Sequence, residues 1–178
     1  PPRSTLFPYT TLFRSRAADG RLFAGRTFIV TPTRKTDEAA VRRVRRIWKL
    51  AGSGALLRMD PRTHDRVFAY VSHLPHVVAY ALVHSVSTLR TPVPLGYSAG
   101  GFRDFTRIAS SNPEMWKDIV LQNREEVLRA IAHYRRNLRL LERRIAGGDA
   151  EGLLGYFRRA KGTRERLGTP GAGDREGT

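Results

Sequence analysis

The stretch from Asp60 to Thr88 constrains the fold most. Asp60-Pro61 is a helix start, because aspartate can cap the free N–H groups of a first turn and proline at the first helical position forfeits no bond. The residues that follow predict one long helix over about 62–88. Val67, Phe68, Ala69, Val71, Leu74, Val77, Val78, Ala79, Ala81, Leu82 and Val83 place apolar groups on several of its sides. A helix apolar most of the way round is a buried helix, so other helices have to cover it. Pro75 lies inside it and cannot bond to the carbonyl of Val71, which predicts a kink flanked by Ser72, His73 and His76.

Before this helix the pattern changes. Thr27–Thr31 is a β-branched and aromatic run that reads as a buried strand. Thr36 is the expected N-cap of a helix reaching about Ala51, with Asp37 and Glu38 in its first turn, where the helix dipole favours them. Ala40, Val44, Ile47, Trp48 and Ala51 are its expected buried face. Gly52 and Gly54 stop it, and Gly54–Met59 reads as a second strand. Strand, helix and strand at this spacing make one α/β unit, which alone cannot cover both faces of its sheet. It reads as the last piece of a larger domain.

After the long helix, Thr91–Gly96 is a breaker-rich loop. Asn112-Pro113 repeats the cap-and-proline start, and the next helix is expected to run to Ala146. Its apolar positions Trp116, Val120, Val127, Ile131, Tyr134, Leu138, Leu141 and Ile145 form a bundle-type seam. Gly147-Gly148 ends it, and Asp149 caps a last helix carrying Leu153, Leu154, Tyr156 and Phe157. The tail after Leu167 is glycine, proline and charge, and is expected to be disordered. Pro1–Ser15 fits neither period and resembles the translation of a sequencing-adapter oligonucleotide. It is set aside as an artefact, which would leave the true protein truncated at its amino end. The expected class is mainly α, with boundaries at 1–15, 16–60, 61–167 and 168–178.

Composition limits the function classes. A chain of 178 residues suits one domain, or one with part of another, and 40% hydrophobic residues allow a real core. Without cysteine there are no disulfides or thiolate metal sites, which fits a reducing compartment. No apolar run reaches transmembrane length in the sequence, and no signal-peptide core opens it. Thirty-two Lys and Arg against 16 Asp and Glu give a net charge of +16, which makes nucleic acid a candidate partner. The basic residues are spread, however, over Arg42, Arg43, Arg45 and Arg46, over Arg135, Arg136, Arg139, Arg143 and Arg144, and over Arg158, Arg159, Lys161 and Arg164. Most fall on solvated helix faces, and no RNA-binding aromatic motif or zinc-finger spacing accompanies them. Nucleic-acid binding is therefore kept as the alternative.

Two clusters carry chemistry. In Gly100–Ser110, a helix would set Arg103 and Arg107 one turn apart, with Asp104 three residues before Arg107. A guanidinium held by a carboxylate is either a surface ion pair or a receptor for a substrate carboxylate. His73 and His76 share a face at a spacing of three. Metal binding lacks an obvious third ligand at a matching spacing, so none is expected. A satisfied core pair and a pocket lining both remain open. Trp116 reads as a core residue whose indole N–H needs a partner, from protein or ligand. His64-Asp65 reads as a helix-start feature. No phosphate-binding glycine loop or serine nucleophile motif occurs.

The stretch 63–76, which contains Ser72-His73-Leu74-Pro75-His76, the block Gly100-Gly101-Phe102-Arg103-Asp104-Phe105-Thr106-Arg107-Ile108-Ala109, and Met115-Trp116-Lys117-Asp118-Ile119 with Asn123 together resemble the carboxyl-terminal half of the prephenate dehydrogenase family. Leu22–Thr33 resembles the end of that family's nucleotide-binding domain. The resemblance spans about Leu22 to Phe157. It implies a helical dimerisation domain of the 6-phosphogluconate-dehydrogenase C-terminal type, preceded by a β-α-β remnant of a Rossmann domain. It also implies NAD- or NADP-dependent oxidative decarboxylation of prephenate, or of arogenate, in tyrosine biosynthesis. A cytoplasmic homodimer is implied, without membrane. Carried onto this chain, Arg107 would grip a substrate carboxylate, Asp104 would orient it, and His76 with His73 and Ser72 would line the substrate side beside Trp116. The family's GxGxxG turn is absent, as is the His-Pro block with its catalytic base. Both belong upstream of Leu22, so the chain as given is expected to bind cofactor poorly and not to turn over. A stand-alone dimerising module remains a further alternative.

Overall fold

The computed structural model describes residues 21–90 and 98–167. The adapter-like stretch 1–15, the loop 91–96 and the tail from 168 lie outside them. The described residues are mainly helical and contain one small sheet. Strand β1 (Phe28–Val30) pairs in parallel with β2 (Leu56–Arg58), Phe28 opposite Leu56 and Val30 opposite Arg58. Helix α1 (Glu38–Leu50) connects them, as the α/β reading expects. Trp48 of α1 stacks on Phe28 at 4.3 Å and takes the edge of Phe23 at 4.7 Å. Behind the sheet Gly54 approaches Gly25 so closely that a Cβ would lie 2.9 Å from the Gly25 carbonyl oxygen, which excludes larger residues.

Two expectations for this unit are corrected. Asp37, not Thr36, is the N-cap of α1: its carboxylate accepts from the Ala39 N–H at 2.8 Å. The Thr36 hydroxyl is used one turn earlier, accepting from the Thr33 N–H at 2.9 Å. Val44 and Ile47 are exposed rather than buried, at 39% and 63%. A two-stranded sheet is too narrow to cover a whole helix face, so the Trp48 side alone is covered.

The Asp60-Pro61 start holds: the Asp60 carboxylate accepts from the Thr63 N–H at 3.0 Å. Helix α2 (Pro61–Phe68) runs through a π turn (Ala69–His73) into α3 (Leu74–Ser87). The π turn is the answer to Pro75. The Leu74 N–H reaches back five residues to the Ala69 carbonyl, so the ladder widens where proline withholds its donor. Only Ala69 and Ala79 of this stretch are fully buried. Val67, Tyr70, Val71, Leu82 and Val83 are exposed, Val71 by 66%, which corrects the expectation of a helix covered on all sides within one chain. The continuous span Pro61–Ser87 is also long and apolar enough, by length and composition, to cross a membrane. The expectation that no stretch reaches that length is corrected accordingly.

Helix α4 (Gly100–Thr106) tightens into a 3-10 turn (Arg107–Ser110). Both pack on α3, and the Tyr80 hydroxyl ties the exit of the turn by donating to the Ser111 carbonyl at 2.8 Å. Asn112 then caps α5 (Pro113–Gln122), accepting from the Met115 N–H at 3.1 Å. The single helix expected to reach Ala146 is two. Asn123, at φ −108° and ψ 33°, separates α5 from α6 (Arg124–Ala146).

The chain divides into two compact units between Ala130 and Ile131. The second holds the end of α6 and α7 (Ala150–Leu167). Gly148 turns the chain with φ +63°, and Asp149 caps α7 by accepting from the Gly152 N–H at 2.8 Å. Arg144 lies near the Asp149 carboxylate and donates to the Gly152 carbonyl, closing the corner.

Candidate functional site

The π turn and the first turn of α3 bring His73 and His76 against Trp116, which is placed by the Asn112 cap one turn before it. The imidazole of His76 stacks on the indole with centroids 3.5 Å apart and planes 19° from parallel. His73 meets the same indole edge-on at 6.2 Å. Trp116 is itself buried. One aromatic surface thus fixes two imidazoles in different orientations.

Each ring is also held by a hydrogen bond. His76 Nδ1 lies 3.0 Å from the Ser72 carbonyl oxygen, so that nitrogen carries the proton and donates. The carbonyl that holds the ring is Ser72's, one residue beyond the Val71 carbonyl that Pro75 leaves without its donor. Ser72 acts through its backbone, and its hydroxyl makes no bond to another described residue. His73 Nδ1 lies 3.2 Å from the carboxamide nitrogen of Asn123. Burial lowers the pKa of His73 below its ordinary 6.5, the neighbouring His64 and His76 lower it further, and Asp65 opposes them. His73 is therefore neutral at neutral pH.

Beside these, His64 Nδ1 is 3.0 Å from the Asp65 carboxylate, and its ring stacks on Phe68 at 4.4 Å. This is the helix-start pair read from the sequence. No cluster of three metal-ligating side chains occurs among the described residues.

Arg107 and Asp104 behave differently from the expected clamp. No ion pair joins them among the described residues. The 3-10 turn begins at Arg107 and breaks the α-helical spacing that would align the two side chains. Arg103 is committed elsewhere: its Nε and Nη2 both donate to the Ser98 carbonyl, at 3.0 and 2.8 Å. Arg107 is exposed, and its guanidinium makes no bond to another described residue. The Tyr80–Ser111 bond anchors its segment to α3, on which Tyr80 stands one turn beyond His76.

The structure therefore groups His73, His76 and Trp116 directly and adds Ser72 by its carbonyl. It puts Arg107 and Asp104 on the adjoining segment without contact to the histidines. Asn123 is the residue that sequence reasoning passed over as a site residue. Its signal was its place in the block that carries the family resemblance, as a polar position in the middle of an apolar seam to which no role was given.

A nicotinamide dinucleotide does not fit the described residues. Its pyrophosphate needs a glycine-rich turn opening onto an uncapped helix N-terminus. Among the described residues both helices that follow a strand open with carboxylates, which repel an anion: Asp37 and Glu38 on α1 after β1, and the capping Asp60 on α2 after β2.

Comparison with known proteins fits this arrangement. Residues 60–159 match the family described as prephenate dehydrogenase, dimerization domain. The prephenate dehydrogenase of Bacillus subtilis is 40% identical over 154 residues, which are 85% of this chain and 41% of that protein. The cyclohexadienyl dehydrogenase of Zymomonas mobilis is 38% identical over 86% of this chain and 53% of its own length. A crystal structure of prephenate dehydrogenase from A. aeolicus, in complex with hydroxyphenyl propionate and NAD+, superposes with a TM-score of 0.77 at 42% identity, over 83% of this chain and 52% of that one. The chain spans about half the length of the relatives it matches. With a family match that takes in the π turn, the paired histidines, Arg107 and Trp116, the chain belongs to the prephenate dehydrogenase family.

Proposed function

We propose that this chain is the substrate-binding and dimerising part of an NAD- or NADP-dependent dehydrogenase acting on prephenate or arogenate. The observation that carries this reading is the His76–Trp116 stack with His73 beside it, in a chain matched to that family's dimerization domain. A nicotinamide held by the rest of the whole enzyme would supply the hydride acceptor for the oxidative decarboxylation. The residues here bind and orient. Trp116 supports the imidazole of His76, His73 offers a hydrogen bond, and Arg107 supplies the charge that a substrate carboxylate needs. Arg107 has no protein partner to give up among the described residues, which suits a side chain reserved for a ligand. Asp104 and Ser72 belong to the same substrate side. Residues 16–60 are read as the end of the nucleotide-binding domain and 61–167 as the helical domain. A cytoplasmic setting follows from a soluble biosynthetic role.

The exposed apolar face of α2 and α3 is read as the dimer surface. A helix with Val67, Val71, Leu82 and Val83 facing water has a strong drive to be covered, and a second copy of a dimerization domain supplies that cover.

Calorimetric titration of the 178-residue chain with 3-(4-hydroxyphenyl)propionate tests the substrate reading. The chain is expected to bind, and Arg107→Ala is expected to weaken binding roughly 30- to 150-fold with unchanged circular dichroism. Unaltered affinity in Arg107→Ala would remove the arginine from the site. A hydride-transfer assay on the same chain is expected to show no turnover, because the described residues hold no place for a dinucleotide pyrophosphate.

A further inference from the structure

Asn123 is polar, lies between two helices and is half-buried. Its backbone serves as a joint: its N–H bonds to Ile119 and its carbonyl accepts from Val127. Its side chain reaches away from both helices to α2 and the π turn. The carboxamide nitrogen donates to the Asp65 carbonyl at 2.7 Å and lies 3.2 Å from His73 Nδ1.

These two contacts fix the sense of every proton involved. A backbone carbonyl only accepts, so the amide group facing Asp65 has to be NH2; the flipped amide would set two oxygens 2.7 Å apart. The same NH2 has a second hydrogen, and it faces His73 Nδ1. That ring nitrogen accepts, so in the neutral imidazole the proton sits on Nε2. His76 is held the other way round, with Nδ1–H donating to the Ser72 carbonyl and Nε2 left as the acceptor. Two histidines three residues apart are thereby locked in opposite tautomers by two different elements of the fold.

We propose that Asn123 is a positioning residue that holds His73 as its Nε2–H tautomer, so that the site offers an uncharged hydrogen-bond donor to an oxygen of the bound substrate. The tautomer rests on the geometry alone, and the ligand contact rests in addition on the substrate reading given above. An uncharged donor fits the division of labour in the site. Arg107 carries the positive charge for a carboxylate, and His73 adds direction without a second cation to desolvate. The Asp65 carbonyl serves as the reference point, because it lies in α2 one turn before the π turn and also accepts from the Ala69 N–H, where the π turn begins.

The test uses the full 178-residue chain labelled with 15N. Long-range 1H–15N correlation spectra, with His73 assigned by its loss in His73→Gln, are expected to show His73 protonated at Nε2 and His76 at Nδ1. Asn123→Asp replaces the donor by an acceptor and is expected to move the His73 proton to Nδ1 and raise its pKa. A wild-type spectrum with His73 protonated at Nδ1, or with both tautomers mixed, overturns the proposal whatever becomes of the Asn123 variants. A tautomer that survives Asn123→Asp overturns it too. For the ligand contact, Asn123→Leu is expected to weaken 3-(4-hydroxyphenyl)propionate binding roughly fivefold, the worth of one ordinary hydrogen bond. Unchanged affinity in Asn123→Leu, with Arg107→Ala still losing it, overturns the ligand contact and leaves the substrate reading standing. Absence of binding by the wild-type chain overturns the substrate reading and the ligand contact together, while the tautomer lock is judged by the spectra alone.

Discussion

A single indole carries much of the site's geometry. Trp116 supports His76 face to face and His73 by its edge, so its removal acts on packing and on orientation together. Trp116→Ala is expected to cost about 3–5 kcal/mol in urea unfolding, whereas Trp116→Phe keeps a ring in place and costs less. His73 adds a pH dependence whose sign follows from burial. Its folded pKa lies below the ordinary 6.5, so the unfolded chain takes up a proton first as pH falls. The stability it contributes is complete above about pH 6.5 and is lost as pH drops from there towards the lowered folded value. Urea midpoints measured between neutral and mildly acidic pH should therefore fall more steeply for the wild type than for His73→Gln. The same sign holds at lower pH for Asp60, whose carboxyl is held below its ordinary value by hydrogen bonds to Thr63, first from the side chain and then from the backbone N–H. Sequence spacing put the two histidines on one helix face, because that interval has a local meaning, whereas Trp116 was set beside them only by the family resemblance. It missed the Asp104–Arg107 outcome, because whether an i, i+3 pair meets depends on the helix staying α beyond Thr106, and it does not.

At the scale of elements, the starts were more legible than the interruptions. Asp60-Pro61 and Asn112-Pro113 announce helices through contacts within four residues, and both caps form as read. Asn112→Ala is expected to cost about 1 kcal/mol, read as a lower urea midpoint with an unchanged slope. Thr36 misled, since two side chains in a row can cap a helix and Asp37 is the better placed. The break at Asn123 was illegible for a different reason. The seam on either side of it continues at helical spacing, and what ends α5 is a side chain engaged with Asp65 and His73, 58 and 50 residues away in sequence. The proline in the long helix was legible and its remedy was not. A π turn inserts an extra residue into the ladder and shifts the phase of everything after it by about 100°. Deleting one residue from Ala69–His73 should therefore rotate His76 away from Trp116 and Tyr80 away from Ser111 in one step. Loss of the indole-stacked His76 resonance pattern in the deletion variant would register it.

For the whole molecule, the net charge of +16 sits on exposed arginines, including Arg42, Arg43, Arg45 and Arg46 along α1, which is where a solvated face was expected. The apolar surplus is the more consequential feature. Val67→Asp combined with Val71→Asp is expected to shift the chain from dimer to monomer in sedimentation velocity, while a charge reversal on α1 leaves the sedimentation coefficient unchanged. If two copies complete each other's hydrophobic cover, folding and association are one equilibrium, and the quantity that governs it is protein concentration. Melting temperature should then climb with every increase in chain concentration. Simple dilution would work on this protein as a denaturant does on a monomer.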